Sequence, residues 1–193
     1  MALWGITDAD EAKPKWLTTA QKKEVFANNS GWVVEAGSTQ TGNDNTDAQP
    51  EVLCCVGDLA TGIGAADITE IEFITTAFDK SDGGNIDVRV RFNEQVTVNT
   101  SGGTPTLTIT NDTPARNLTA TYLSGSTTNE LIFRKTIAAA NAATNAGDVL
   151  SIGANPLALA SGTIKDTADG TTNATITSAA SIGTAAGSIT VTA

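Results

Sequence analysis

Two aspartate pairs, Asp79-Lys-Ser-Asp82 and Asp166-Thr-Ala-Asp169, and the adjacent cysteines Cys54-Cys55 are the places where residue type and spacing could support chemistry. Carboxylates on loops at one end of a β-domain can hold Ca²⁺ together with backbone oxygens. The EF-hand spacing is absent, and solvated turn acids account for the same residues. A carboxylate pair could also work on a glycosidic bond, but no aromatic platform for a sugar accompanies these acids in the β-domain. The cysteines lie in the apolar run Val52-Leu-Cys-Cys-Val56. Neighbouring residues rarely meet disulfide geometry, and no cation or helix start stands near to lower a thiol pKa. They read as small buried hydrophobes.

The chain has no histidine, which removes His-based triads, zinc-His sites and imidazole acid–base chemistry. There is no phosphate-binding Gly-Lys-Ser/Thr loop, and Gly62-Ile-Gly64 is a lone Gly-x-Gly that reads as a turn. The inventory assigns no catalytic, cofactor-binding or metal-ligating residue. The expectation is a protein that is not an enzyme and carries no cofactor.

The elements that would position any site are short strands. From Asp67 onward the hydrophobic period is two: Ile71 and Phe73 alternate with Glu70 and Glu72, and Ile86, Val88, Val90 and Phe92 alternate with Asp87, Arg89 and Arg91. One face of such a strand is buried and the other charged. Further strands are predicted around 96–98, 107–109, 118–122, 131–133, 149–152, 157–159, 174–176 and 189–191, with turns at Asp82-Gly-Gly, Ser101-Gly-Gly, Ser124-Gly-Ser and Asp169-Gly. Many short, alternating strands point to an antiparallel sandwich. Residues 137–145 alone could form a helical insertion. Threonine-rich strand faces keep a sheet polar and could also dress a carbohydrate surface.

The first 66 residues differ. All three tryptophans, Trp4, Trp16 and Trp32, lie here. Residues 1–35 hold four lysines against five acids, so they are near neutral within a chain of net charge −10. That overall charge argues against naked nucleic acid as a partner, which needs clustered Lys and Arg. Thr18 with Gln21 has the spacing of a capping box for a short helix, residues 32–34 read as a short strand, 52–56 as a buried strand, and 57–66 as a flexible linker. The division is therefore an extended docking arm with short strands and linker over 1–66, and a β-sandwich over 67–193. Trp4, Trp16, Leu17, Phe26 and Trp32 are the candidate partner-docking residues, since large aromatics dominate interface energetics. The same side chains could instead form a mini-core, and the two readings are compatible. The amino terminus lacks the basic and apolar regions of a signal peptide, and no apolar run is long enough to span a membrane. The expectation is synthesis in a reducing cytoplasm and export, if any, as part of a particle.

Two resemblances sharpen this. The succession Ile86-Asp-Val-Arg-Val-Arg-Phe-Asn-Glu-Gln-Val96, Gly103-Thr-Pro-Thr-Leu-Thr-Ile109, Ala120-Thr-Tyr-Leu-Ser-Gly-Ser126, Leu131-Ile-Phe133, Gly147-Asp-Val-Leu150 and Ser161-Gly-Thr-Ile-Lys-Asp166 resembles bacterial immunoglobulin-like domains over residues 68–180. The family's Ala-Gly-Asn close is replaced by Thr167-Ala-Asp-Gly170. Met1-Ala-Leu-Trp-Gly5, Lys13-Pro-Lys-Trp-Leu17, Val25-Phe-Ala27, Gly31-Trp-Val33, Asn43-Asp-Asn45 and Pro50-Glu-Val-Leu53 are similar to the opening of virion structural proteins of T4-like cyanophages. The resemblance implies a capsid decoration protein on the outer surface of a virion, with the major capsid protein or other virion proteins as partners and an immunoglobulin-like domain projecting outward. It fixes no functional residue. A homo-oligomer is compatible with it. The competing expectation is a tail or neck adhesive module that binds host surface glycans.

Overall fold

The computed structural model describes residues 13–193. The chain is mainly β, with thirteen strands linked in one hydrogen-bonded network. It is built around two separate apolar clusters.

The smaller cluster belongs to residues 13–66. Thr18 caps α1 (Thr19–Lys23): its hydroxyl accepts from Gln21 N at 3.2 Å and Gln21 Oε1 accepts from Thr18 N at 2.9 Å. Strands β1 (Val25–Asn28) and β2 (Gly31–Val34) then form a tight antiparallel hairpin, in which Val25 faces Val34 and Ala27 faces Trp32. The third strand, β3 (Glu51–Cys55), pairs with β2. Gly31 makes that approach possible. Its φ is +131°, and a Cβ there would sit 2.0 Å from the Cys54 carbonyl oxygen. A short helix, α2 (Leu59–Gly62), closes the unit. Leu17, Val25, Ala27, Trp32, Val34, Leu59 and Ile63 form its core, with Leu53, Cys54 and Val56 packed at the edge.

Several expectations change here. The segment expected as an extended arm is, over the described residues, folded around a core of its own. The expected linker contributes Leu59, Ala60, Ile63 and Ala66 to buried positions, because its small residues allow a helical turn to sit on the hairpin. Strand β3 lies at the end of the strand order and not in the interior, so Val52 and Cys55 are exposed and Cys54 half-buried.

The larger cluster is enclosed by β4 (Ile68–Phe73), β6 (Gly84–Asn99), β7 (Thr106–Asn111), β8 (Leu118–Ser124), β9 (Thr128–Ile137), β10 (Val149–Ser151), β12 (Thr163–Asp166) and β13 (Ser188–Thr192). Two-residue strands β5 (Phe78–Asp79) and β11 (Leu157–Ala158) pair with β13 and β7. The arrangement fits a β-sandwich. Strand β6 is its spine. It pairs with β9 from Gly84 to Arg91, with β4 from Val88 to Phe92, and with β12 from Val96 to Asn99. Ile86, Val88, Val90, Phe92 and Val96 point into the core, as their alternation requires. The ladder with β9 breaks between Arg91 and Val96, and there the small unit attaches through a parallel bridge of Ala27 to Glu94. Of residues 137–145, Ile137 ends β9 and the rest form turns and connecting loop with no helix, and 174–176 make only an isolated bridge, Asp67 to Thr175. A short helix, α3 (Ala180–Ala185), packs near β4 in their place as the fold's late helical piece.

Candidate functional site

The register of the sheet gathers charge on the face of β6 that points away from the core. Glu70 and Glu72 on β4 stand opposite Arg91 and Arg89 on β6, and Glu130 on β9 stands opposite Arg91 from the other side. Directly opposed charges of unlike sign are the stabilising cross-strand pattern. Arg89 Nη2 lies 3.0 Å from Glu72 Oε2. Arg91 Nη1 donates to Glu70 Oε2 at 2.7 Å and to Glu72 Oε2 at 3.3 Å, and its Nε donates to Glu130 Oε1 at 2.5 Å.

This face is not solvated, although a charged strand face ordinarily is. The small unit lies over it. Glu35, the residue after β2, brings Oε1 to 3.5 Å from Arg91 Nε and accepts from Asn129 Nδ2 at 2.7 Å. Lys23 from α1 pairs with Glu70. Arg91 and Asn129 are consequently 6% and 4% exposed. Ion pairs and an amide hydrogen bond therefore join the two units at this face.

Four carboxylates (Glu35, Glu70, Glu72, Glu130) form ion pairs at this joint with Lys23, Arg89 and Arg91, and Lys13 lies close enough to interact with Glu35 and Glu70. Burial and these neighbouring charges shift their proton affinities. Burial, with Glu130 adding to it, pushes Glu35 up to about 7, against the opposing pull of Arg91 and the Asn129 amide. Burial also works against Glu70, but hydrogen bonds from Lys23 and Arg91 outweigh it and hold that carboxyl below its ordinary value. The Arg91 guanidinium is held above its ordinary value, since Glu35 and Glu130 overcome the cost of its burial. Lys13 donates to Lys22 O at 2.8 Å, and burial lowers it to about 8 despite Glu35 and Glu70.

A pH dependence follows. Glu35 holds its proton more tightly in the folded chain (about 7) than at its ordinary value of 4.5. Its contribution to stability is therefore full below about pH 4.5 and is lost as pH rises to about 7. The difference in unfolding free energy between the native chain and Glu35→Gln should change by about 3 kcal/mol across that window. Urea unfolding at several pH values measures it, and a pH-independent difference would contradict this account of Glu35.

Above the joint, the loop over 36–50 and the hairpin over 127–130 enclose an open cleft of about 700 Å³. Glu35, Arg89, Arg91 and Asn129 line it, together with Gln49, Gln95 and Thr128. Ser38 fixes the loop by donating to Glu24 Oε2 at 2.5 Å.

The candidate docking residues are scattered by the fold. Trp4 lies outside the described residues. Trp32 is fully buried in the small core with Leu17, and Phe26, 2% exposed, is enclosed on the other face of β1 beneath the cleft, so both aromatics are spent inside the chain. Trp32 and Phe26 have no surface to offer a partner in this structure. Trp16 alone of the described candidates is strongly exposed, at 58%.

The aspartate pairs are satisfied locally. Asp79 accepts from Ser81 N at 2.8 Å, Ser81 Oγ at 2.6 Å and Thr192 Oγ1 at 2.9 Å. Asp169 accepts from the Thr171 and Thr172 amides and the Thr172 hydroxyl, which together lower it to about 2. Asp166 is buried, which raises its carboxyl, and it caps the turn through Ala168 N at 2.6 Å. Among the described residues no cluster of three or more potential metal ligands is present. No described helix is long and apolar enough to cross a membrane. Sequence reasoning missed the Glu35–Arg91–Glu130 arrangement. The alternation of Glu70 and Glu72 with apolar residues, matched by Arg89 and Arg91, was the available signal for its larger part.

Comparison of the chain with protein-family models, with curated proteins and with solved structures finds no match.

Proposed function

We propose that this chain is a virion structural protein, a capsid decoration protein of the T4-like cyanophage type, which docks on the coat lattice through its N-terminal portion and carries an immunoglobulin-like domain outward. The reading rests on the resemblance of the N-terminal motifs and of the 68–180 strand succession. The observation that carries the docking part is Trp16. It is a large aromatic, 58% exposed, on a unit whose core is already filled by Trp32. Exposed tryptophans of this kind are the residues most often found as interface anchors. The separate core of residues 13–66 gives the anchor a folded platform, which lowers the ordering cost of docking relative to an unstructured arm.

The test is incorporation of the full chain and its Trp16→Ala variant onto coat shells of such a phage that lack the protein. An anchor contributing about 2 kcal/mol or more predicts roughly a thirtyfold weaker occupancy for the variant. Thermal unfolding of the variant, measured alongside, separates a loss of docking from a loss of fold, and occupancy is compared at a temperature where both proteins are folded. Equal occupancy of the two proteins would sink the assignment of Trp16, and failure of the native chain to bind the shells would sink the decoration reading itself.

A further inference from the structure

We propose that the groove between α1, α3 and β4 is a binding site for a small organic monoanion, a carboxylate carrying a short alkyl chain. The groove encloses about 390 Å³, within the range of small-ligand sites. Lys13, Lys22 and Lys23 line it from the small unit, and Ile182 and Ala185 of α3 line it from the β-body. Three of the eleven Lys and Arg residues therefore meet at one groove, in a chain of net charge −10.

Glu70 is the one carboxylate among the lining residues, and both its oxygens are taken, Oε1 by Lys23 and Oε2 by Arg91. Among the described residues no carboxylate stands within ion-pair distance of Lys13 or Lys22. Lys13 gives one N–H to Lys22 O at 2.8 Å, and an ammonium has further donors to offer. Glu35 and Glu70 attract Lys13 from beyond contact, while Lys22 and Arg91 repel it and burial lowers it to about 8. A carboxylate bound between Lys13 and Lys22 would supply the missing counter-charge through charge-assisted hydrogen bonds.

The rest of the groove sets the remainder of the ligand. Most of its surface is apolar, made of lysine stems together with Ile182 and Ala185. An inorganic anion would leave that surface uncovered. A neutral apolar ligand would shield the amines from water without pairing them, which is costly. A cation would meet two unpaired ammonium groups, and a polyanion would be opposed by the charge of the whole chain. An alkyl carboxylate satisfies both parts, with its charge at Lys13 and Lys22 and its chain on Ile182 and Ala185.

The test is an NMR titration of the ¹³C,¹⁵N-labelled full chain with hexanoate, 1-hexanol, hexylammonium and inorganic phosphate. The expected result is saturable shifts of the Ile182 and Ala185 methyls and the Lys13 Cε with hexanoate, which binds more tightly than the other three. Hexanoate affinity should fall about tenfold as pH rises from about 7 to about 9, because Lys13 loses its charge near 8. Lys22→Gln should bind about tenfold more weakly, the effect of losing a hydrogen bond to a charged group. Ala185→Glu places a carboxylate on an exposed wall position and should abolish binding, whereas Ala185→Gln, of the same size, should retain it. Unchanged resonances of β6 in the free variants would verify that they are folded. The proposal is overturned if hexanoate gives no saturable shift, if any of the other probes binds as tightly, if its affinity is independent of pH, or if Lys22→Gln or Ala185→Glu binds as the native chain does.

Discussion

Arg91→Met is expected to destabilise the chain by about 3–5 kcal/mol, the effect of leaving buried partners without their counter-charge. Arg91 is 6% exposed and lies within 3.5 Å of four carboxylates, Glu35, Glu70, Glu72 and Glu130. Methionine keeps much of the apolar stem and removes the whole guanidinium. The carboxylates would then repel one another across a joint that the small unit shields from water. Urea unfolding at pH 7 measures the loss. Glu70→Gln placed on top of Arg91→Met should recover part of it, because it removes one of the orphaned charges, whereas Glu70→Gln alone should destabilise by breaking the 2.7 Å contact. Arg91→Lys should fall between native and Met, since an ammonium keeps the charge but cannot reach carboxylates on both neighbouring strands at once. A loss below about 1 kcal/mol for Arg91→Met would mean that the cluster behaves as an ordinary exposed set of ion pairs.

Much of this joint was legible in the sequence, and one side of it was not. The alternation Ile71, Phe73 against Glu70, Glu72, and Val88, Val90 against Arg89, Arg91, fixes which side chains share a face, because the strand period is two. The short-range signals also held. Thr18 and Gln21 form the capping box, and residues 31–34 form a strand. What local pattern does not encode is which surface covers the charged face. That depends on where the small unit lands, a contact between residues as distant as Glu35 and Asn129. The same limit affected the tryptophans. Their spacing does not distinguish Trp32, which faces Ala27 across a hairpin and fills a core, from Trp16, which precedes α1 and remains exposed. The apolar residues of 52–56 read as a buried strand, but strand order decides burial, and β3 is terminal in that order. The aspartate pairs looked like possible ligands because sequence shows the carboxylates and hides their partners. Neighbouring threonine and serine hydroxyls and turn amides satisfy Asp79 and Asp169.

Trp32→Ala is expected to cost about 3–5 kcal/mol, the usual range for removing a buried large aromatic. The effect should be local. Trp32 belongs to the cluster of Leu17, Val25, Ala27, Val34, Leu59 and Ile63, which is distinct from the cluster built on β6, β8 and β9. Hydrogen exchange should therefore show lost protection over 25–66 while the amides of β6, β8 and β9 stay protected, as cooperative units of differing stability allow. Trp32→Phe should cost far less. The indole N–H is buried without an acceptor among the described residues, so phenylalanine removes an unmet donor while it gives up some packing area. Equal loss of protection throughout the chain in Trp32→Ala would show that the two cores fold as one. The small unit would then be an integral part of the β-body, and docking energy gained at Trp16 would be transmitted to the whole chain. With protection lost only in the small unit, the ionic joint around Arg91 is the main coupling between them, and Arg91→Met should loosen that unit from an otherwise intact β-body.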